Sequence, residues 1–130
     1  MKTLKLVLIL PMVLLLAGWS GKTPEETVQV AFAALCESGD PRDARPYMAD
    51  PALFDEFDSN VAILIEVDPD QWEQIKADAR ADCAASRAVE FRSVDIQGDK
   101  ATVRFLQANG EEGEDELVRR DGKWKLVVVM

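Results

Sequence analysis

The stretch AVEFRSVDIQGDKATVRFLQANGEEGEDELVRRDGKWKLVV, residues 88–128, decides the fold. Its apolar residues recur at every second position, the period of a strand with one buried face. Val89 and Phe91 share one face, while Val94 and Ile96 fall one residue out of phase with them. A bulge near Ser93 reconciles the two pairs, and a bulge bends the sheet that contains it. Gln97, Gly98 and Asp99 turn the chain into Ala101, Val103 and Phe105, and the run from Asn109 to Gly113 turns it again. Arg120-Asp121-Gly122-Lys123 is the strongest hairpin signal of the chain, and the strand after it presents Trp124, Leu126 and Val128 on one face. Four antiparallel strands in a meander follow.

Upstream of this stretch the period is helical. Thr23-Pro24-Glu25-Glu26 reads as a helix start, with Thr23 as cap, Pro24 at the first position and Glu26 three residues after the cap. Val28, Phe32, Leu35 and Cys36 form its apolar stripe, and Gly39 ends it. Asp40-Pro41 and Asp50-Pro51 repeat the cap-then-proline signal and predict short helical segments that carry Tyr47, Met48, Leu53, Phe54 and Phe57 inward. The alternation of Val61, Ile63, Ile65 and Val67 suits a strand, and its place between helices suits a helix; we lean to helix. Asp68-Pro69-Asp70-Gln71 opens the clearest helix, with Trp72, Ile75, Ala79 and Cys83 inward, running to about Ser86. Helices followed by a bent meander predict an α+β domain whose N-terminal helices cover the concave face of the sheet.

Residues 1–20 read as a signal peptide: Lys2 and Lys5, an apolar run from Leu6 to Leu16, then small residues that allow cleavage after Ser20. The run is too short to span a bilayer comfortably. Leu15-Leu16-Ala17-Gly18 resembles the lead-in of a bacterial lipoprotein signal, but Trp19 stands where the lipidated cysteine belongs and has no thiol to acylate. The expected product is a single unanchored domain, residues 21–130, in the periplasm or secreted, with no membrane span after processing. Taking Lys2 and Lys5 from the 15 basic residues leaves 13 against 24 acidic ones, a net charge of −11. Nucleic acid and anionic membranes repel such a field and are not expected partners. Cys36 and Cys83 both fall in the exported part, where disulfides persist. They read either as a bridge, worth about 4 kcal/mol for so long a loop, or as two buried apolar residues.

The helix start with its stripe and Gly39-Asp40, together with Gly98-Asp99-Lys100-Ala101-Thr102-Val103 and Arg120-Asp121-Gly122-Lys123-Trp124-Lys125, is similar to uncharacterised bacterial envelope proteins. Many of these are lipoproteins carrying a domain of unknown function in the nuclear transport factor 2-like superfamily. The resemblance covers most of the mature chain. It implies a cone-shaped, cystatin-like α+β fold without a catalytic motif.

The chain contains no histidine, which excludes His-based triads, His metal sites and a His proton shuttle. Two cysteines cannot make a four-ligand zinc site, and no glycine-rich phosphate loop with its lysine is present. No cofactor, metal or catalytic residue is assigned. What survives is carboxylate chemistry. The resemblance implies that a cone of this type can set an Asp beside a Tyr, and the only Tyr, Tyr47, has Asp40, Asp43 and Asp50 nearby in sequence. Asp40 and Asp50 are already explained as caps. The run Glu111, Glu112, Glu114, Asp115 and Glu116 reads as a solvated hairpin, since it lacks the alternating ligands of a calcium loop. Trp72 and Trp124 fall on the apolar side of their elements, as core anchors do. With Tyr47 they are the expected lining of the cavity.

These observations favour a non-catalytic envelope module that binds a small ligand or a protein partner. The alternatives are a small acid/base isomerase or dehydratase using Tyr47 and a carboxylate, and a structural homodimer packed through Leu106, Val127 and Val129 on the outer sheet face.

Overall fold

The computed structural model describes residues 22–128. Residues 1–21, on which the expected signal peptide and Trp19 fall, and residues 129–130, with Val129, lie outside the described residues. Helix α1 spans Pro24–Ser38 and starts as its sequence dictates: the Thr23 hydroxyl accepts from the Glu26 amide at 3.2 Å, and the Thr23 amide donates to the Glu26 carboxylate at 2.9 Å. Gly39, at φ 78°, closes it by donating to the Leu35 carbonyl at 2.7 Å.

Two short 3-10 segments follow, Pro41–Tyr47 and Pro51–Phe54. Asp40 caps the first, accepting from the Arg42 amide at 3.0 Å. Asp50 differs from expectation, because its side chain makes no capping bond and the turn closes through its carbonyl, which accepts from the Leu53 amide at 3.2 Å. Leu53 is also exposed rather than inward, since the tight 3-10 turn gives the inner side to Phe54.

Helices α2 (Asp55–Val67) and α3 (Pro69–Ser86) complete the N-terminal half. The ambiguous run is helical, which separates its apolar residues: Val61 is 3% exposed, whereas Ile63 and Val67 are 61% and 76% exposed. In α3 the inward stripe is Trp72, Lys76, Ala79 and Cys83. Ile75, expected inward, lies off that stripe and is exposed, and the Lys76 ammonium sits 5.4 Å from the Trp72 ring.

The sheet is an antiparallel meander of β1 (Ala88–Gln97), β2 (Lys100–Gln107), β3 (Glu112–Arg120) and β4 (Lys123–Val127), in that spatial order. The expected bulge lies between Phe91 and Ser93, and a second irregularity lies between Ala88 and Glu90. Together they space the inward residues three apart, as Ala88, Phe91 and Val94, and turn Val89 out to solvent. Asp121 at φ 53° and Gly122 at φ 77° form the tight β3–β4 turn. Gly113, expected in a turn, instead lies in β3 opposite Phe105, where any Cβ would run into the Phe105 ring.

Helix α1 lies across the concave face and touches β1, β2 and β4, while α3 packs on α1 and α2 on α3. The core between α1 and the sheet is Val28, Ala101, Val103, Phe105, Leu117 and Trp124. Burial of each larger side chain among these stabilises by roughly 1.5–3 kcal/mol. The Phe105 ring meets Phe32 and Phe91 edge-on at 6.0 and 6.1 Å. A second cluster holds the helical layer, with Phe57 and Trp72 at 6.1 Å and the Arg42 guanidinium over both rings. Cys36 and Cys83 form a disulfide that ties α1 to α3, with Cα atoms 5.3 Å apart. No helix among the described residues is long and apolar enough to cross a membrane.

Candidate functional site

The edge of β4 is where the two halves of the chain meet. After the first 3-10 segment the backbone extends, Met48 bridges Leu126 in parallel, and the Ala49 amide donates to the Leu126 carbonyl at 2.8 Å. Pro51 then turns the chain away, since it has no amide with which to continue a ladder. Residues 45–51 thus cross the edge of β4 as a strap, and clefts open on both sides of it.

One cleft, about 600 Å³, is lined chiefly by Arg45, Ala49, Arg120, Asp121, Lys123 and Lys125. The Arg120 guanidinium donates to the Ala49 carbonyl at 2.7 Å, and the Lys125 ammonium donates to the Pro46 carbonyl at 2.6 Å. Arg45 places its Nη2 on Asp58 at 2.7 Å and its guanidinium 5.4 Å from the Phe54 ring, while its Nε is buried and without an acceptor. A second cleft of about 250 Å³ shares Pro46, Lys123 and Lys125 with the first and adds Lys22, Thr27, Tyr47 and Trp124. The two therefore form one cationic surface on an acidic protein.

On the other side of the strap, Met48 and Leu126 are common to two further clefts. One, about 140 Å³, is apolar and lined by Ala31, Phe32, Leu35 and Ala44 besides the shared pair. The other, about 520 Å³, includes Val127, Val128 and the acids Glu114, Asp115 and Glu116.

Tyr47 and Trp124 come together in the second cleft. Trp72 does not join them, because it is buried against Phe57 in the helical layer. Trp124 offers little surface to a ligand, being 8% exposed with the Arg119 guanidinium 4.8 Å from its ring. The cleft of Tyr47 has lysines and no carboxylate on its lining. Of the acids near Tyr47 in sequence, Asp43 and Asp50 are exposed, and Asp40 is bound to Arg42 at 2.8 Å. Burial alone would raise the Asp40 pKa, but hydrogen bonds from the Arg42 side chain and amide, with the Arg42 charge, hold it below the ordinary 3.8. Asp58 is lowered as well, first by the Arg45 hydrogen bond and then, against some desolvation, by Arg42.

The acidic run is divided by strand alternation. Glu112, Glu114 and Glu116 point to the outer face, where Arg104 binds Glu114 at 2.9 Å. Asp115 pairs with Val103 in the ladder and points to the concave side, where burial raises its pKa above 3.8. Its carboxyl group makes no hydrogen bond or ion pair among the described residues. The reading of a wholly solvated hairpin missed it. Leu117, two residues on and fully buried, was the signal that Asp115 shares an inward face. Leu106 and Val127, half-buried on the outer face, sit opposite Glu112 and Glu116 in the ladders, so that face is charged rather than apolar.

The fold is nuclear transport factor 2-like: helices packed on the concave face of a bent four-stranded meander. A solved structure from Campylobacter jejuni, named as a proposed NTF2-like transpeptidase, superposes with a TM-score of 0.50 at 22% identity, covering 83% of this chain and 100% of that one. At this identity the likeness carries the fold alone. No family model and no curated protein matches the chain.

Proposed function

We propose that the chain is an exported, non-catalytic binding module of the bacterial envelope. Residues 1–20 act as a removed leader, and residues 21–130 form one unanchored domain whose clefts beside the 45–51 strap hold a small ligand or a segment of a partner protein. The observation that carries this reading is the strap itself: it keeps the β4 edge paired and opens clefts on both sides, none of which contains a hydrogen-bonded pair of titratable side chains. The Cys36–Cys83 bridge supports an oxidising compartment.

Transpeptidation, suggested by the name of the Campylobacter neighbour, requires an activated hydroxyl or thiol. Thr27, in the cleft of Tyr47, donates its hydroxyl to the Thr23 carbonyl at 3.1 Å, and both cysteines are bonded to each other. This favours binding over acyl transfer.

Native mass spectrometry tests the proposal on protein expressed with its own leader and recovered from periplasmic and membrane fractions. The expected species is a processed monomer, two hydrogens lighter for the disulfide, carrying a reproducible small molecule. A lipid adduct would refute the unanchored state, a bare dimer would point to the structural homodimer, and a bare monomer would count against a tightly held ligand.

One observation favours a second reading, a small acid/base enzyme: Asp115 is a half-buried carboxyl with a raised pKa, the kind of group that proton transfer uses. Asp115→Asn separates the two. An enzyme would accumulate an unconverted passenger in the variant, whereas a binding module returns the same molecule from both proteins.

A further inference from the structure

We infer that the wide cleft between residues 45–51 and the β3–β4 hairpin is a site for a small polyanion, a molecule bearing two or more phosphate or carboxylate groups. The inference rests on the binding reading above and names its ligand class. The chain has 24 acidic and 15 basic residues, so a cation here has carboxylates in excess to choose from. Arg42, Arg45, Lys76, Arg92, Arg104 and Arg119 all take one. Lys22, Arg80, Arg87 and Lys100 take none among the described residues, and neither do Arg120, Lys123 and Lys125; these last three converge on one cleft, where Asp121 is the single acid on the lining.

The arrangement holds the cations in place and leaves their charge uncompensated. Arg120 and Lys125 are tethered to the carbonyls of Ala49 and Pro46, which orients them without neutralising them. A guanidinium has five N–H donors and an ammonium three, so donors remain to face the cleft. Arg45 also reaches the rim, but its charge is already met by Asp58 at 2.7 Å, so the uncompensated cations are the other three. Like charges gathered in a concavity repel one another, and an anion with several oxygens relieves that repulsion at each of them.

Charge over the whole molecule sets the size of the ligand. At physiological ionic strength charges are screened over about 8 Å. A small anion seated in the cleft therefore responds to its cations. A nucleic acid or an anionic membrane extends beyond them and meets a chain of net charge −9, including the exposed Glu112, Glu114 and Glu116 further along the same outer sheet face. A volume of about 600 Å³ accepts a phosphorylated metabolite or a tricarboxylate whole.

The test is an NMR and calorimetric titration of the purified protein with pyrophosphate and, separately, citrate at near-physiological salt. Shifts confined to residues 45–51 and 120–125, with affinity falling roughly tenfold in Lys123→Gln and unchanged in Arg87→Gln, are expected. Lys123 is exposed and outside any ion pair, so its replacement leaves the fold intact. The ratio of the two affinities tells a phosphate ligand from a carboxylate one. No response to either anion at millimolar concentration, or an equal loss in Arg87→Gln, would overturn the site. A neutral passenger found by mass spectrometry beside that result would discard the anion and keep the binding reading.

Discussion

Gly39 meets two demands at one position. Its φ of 78° ends α1, and the Lys76 carbonyl of α3 lies where a Cβ would go. Gly39→Ala therefore adds left-handed strain to a backbone clash, and we expect a loss of about 2–4 kcal/mol in chemical denaturation. Asp115 gives the opposite kind of prediction. With its folded pKa raised, its contribution to stability is fully present below 3.8 and is lost as pH rises through the folded value. Asp40 and Asp58, lowered, contribute above 3.8 and lose that contribution as pH falls through their folded values. Stability should therefore rise as pH falls from neutral toward 3.8 and drop below it. Asp115→Asn should be at least as stable as the parent at pH 7 and show a smaller rise on acidification; an unchanged profile would remove Asp115 from the account. These residues differ in legibility. Gly39 follows a helical stripe, and its role is local. Asp115 is one acid in a run of five, and only the phase of β3 separates it from its neighbours.

Helix starts, the Asp121-Gly122 turn and the meander were readable because capping and turn chemistry act within a few residues. Val61 to Val67 resisted because its helix leaves apolar residues exposed, which defeats a period count. Val89 misled because two irregularities in β1 reset the phase twice. The strap was illegible for another reason: nothing in Met48-Ala49 announces a pairing with Leu126, which is a tertiary choice. The disulfide is the element-scale cross-link open to direct test. It closes 47 residues between α1 and α3, worth about 4 kcal/mol in the chain-entropy model. The Cys36→Ala/Cys83→Ala variant should melt roughly 15–25 °C lower. Thermal scans with and without reductant check this, and reductant should not shift the variant.

Over the whole molecule, acids outnumber bases 24 to 15, so the folded state works against its own repulsion. Raising salt from low ionic strength to about 0.5 M should lift the melting temperature by a few degrees as that repulsion is screened. Binding of pyrophosphate should weaken over the same range, so that stability and affinity move in opposite directions in one titration series. Net charge, read from sequence, pointed away from anionic polymers, yet it concealed the local surplus of cations at β4, because Arg120, Lys123 and Lys125 meet the strap only through the fold. The strap also orders events in time. Met48 and Leu126 lie far apart in sequence, and closing so long a loop comes late in folding, after local helices and hairpins have formed. The clefts do not exist until the last strand has been delivered and has docked, so a chain stalled before β4 has helices, three strands and an open β3 edge, but nothing with which to bind.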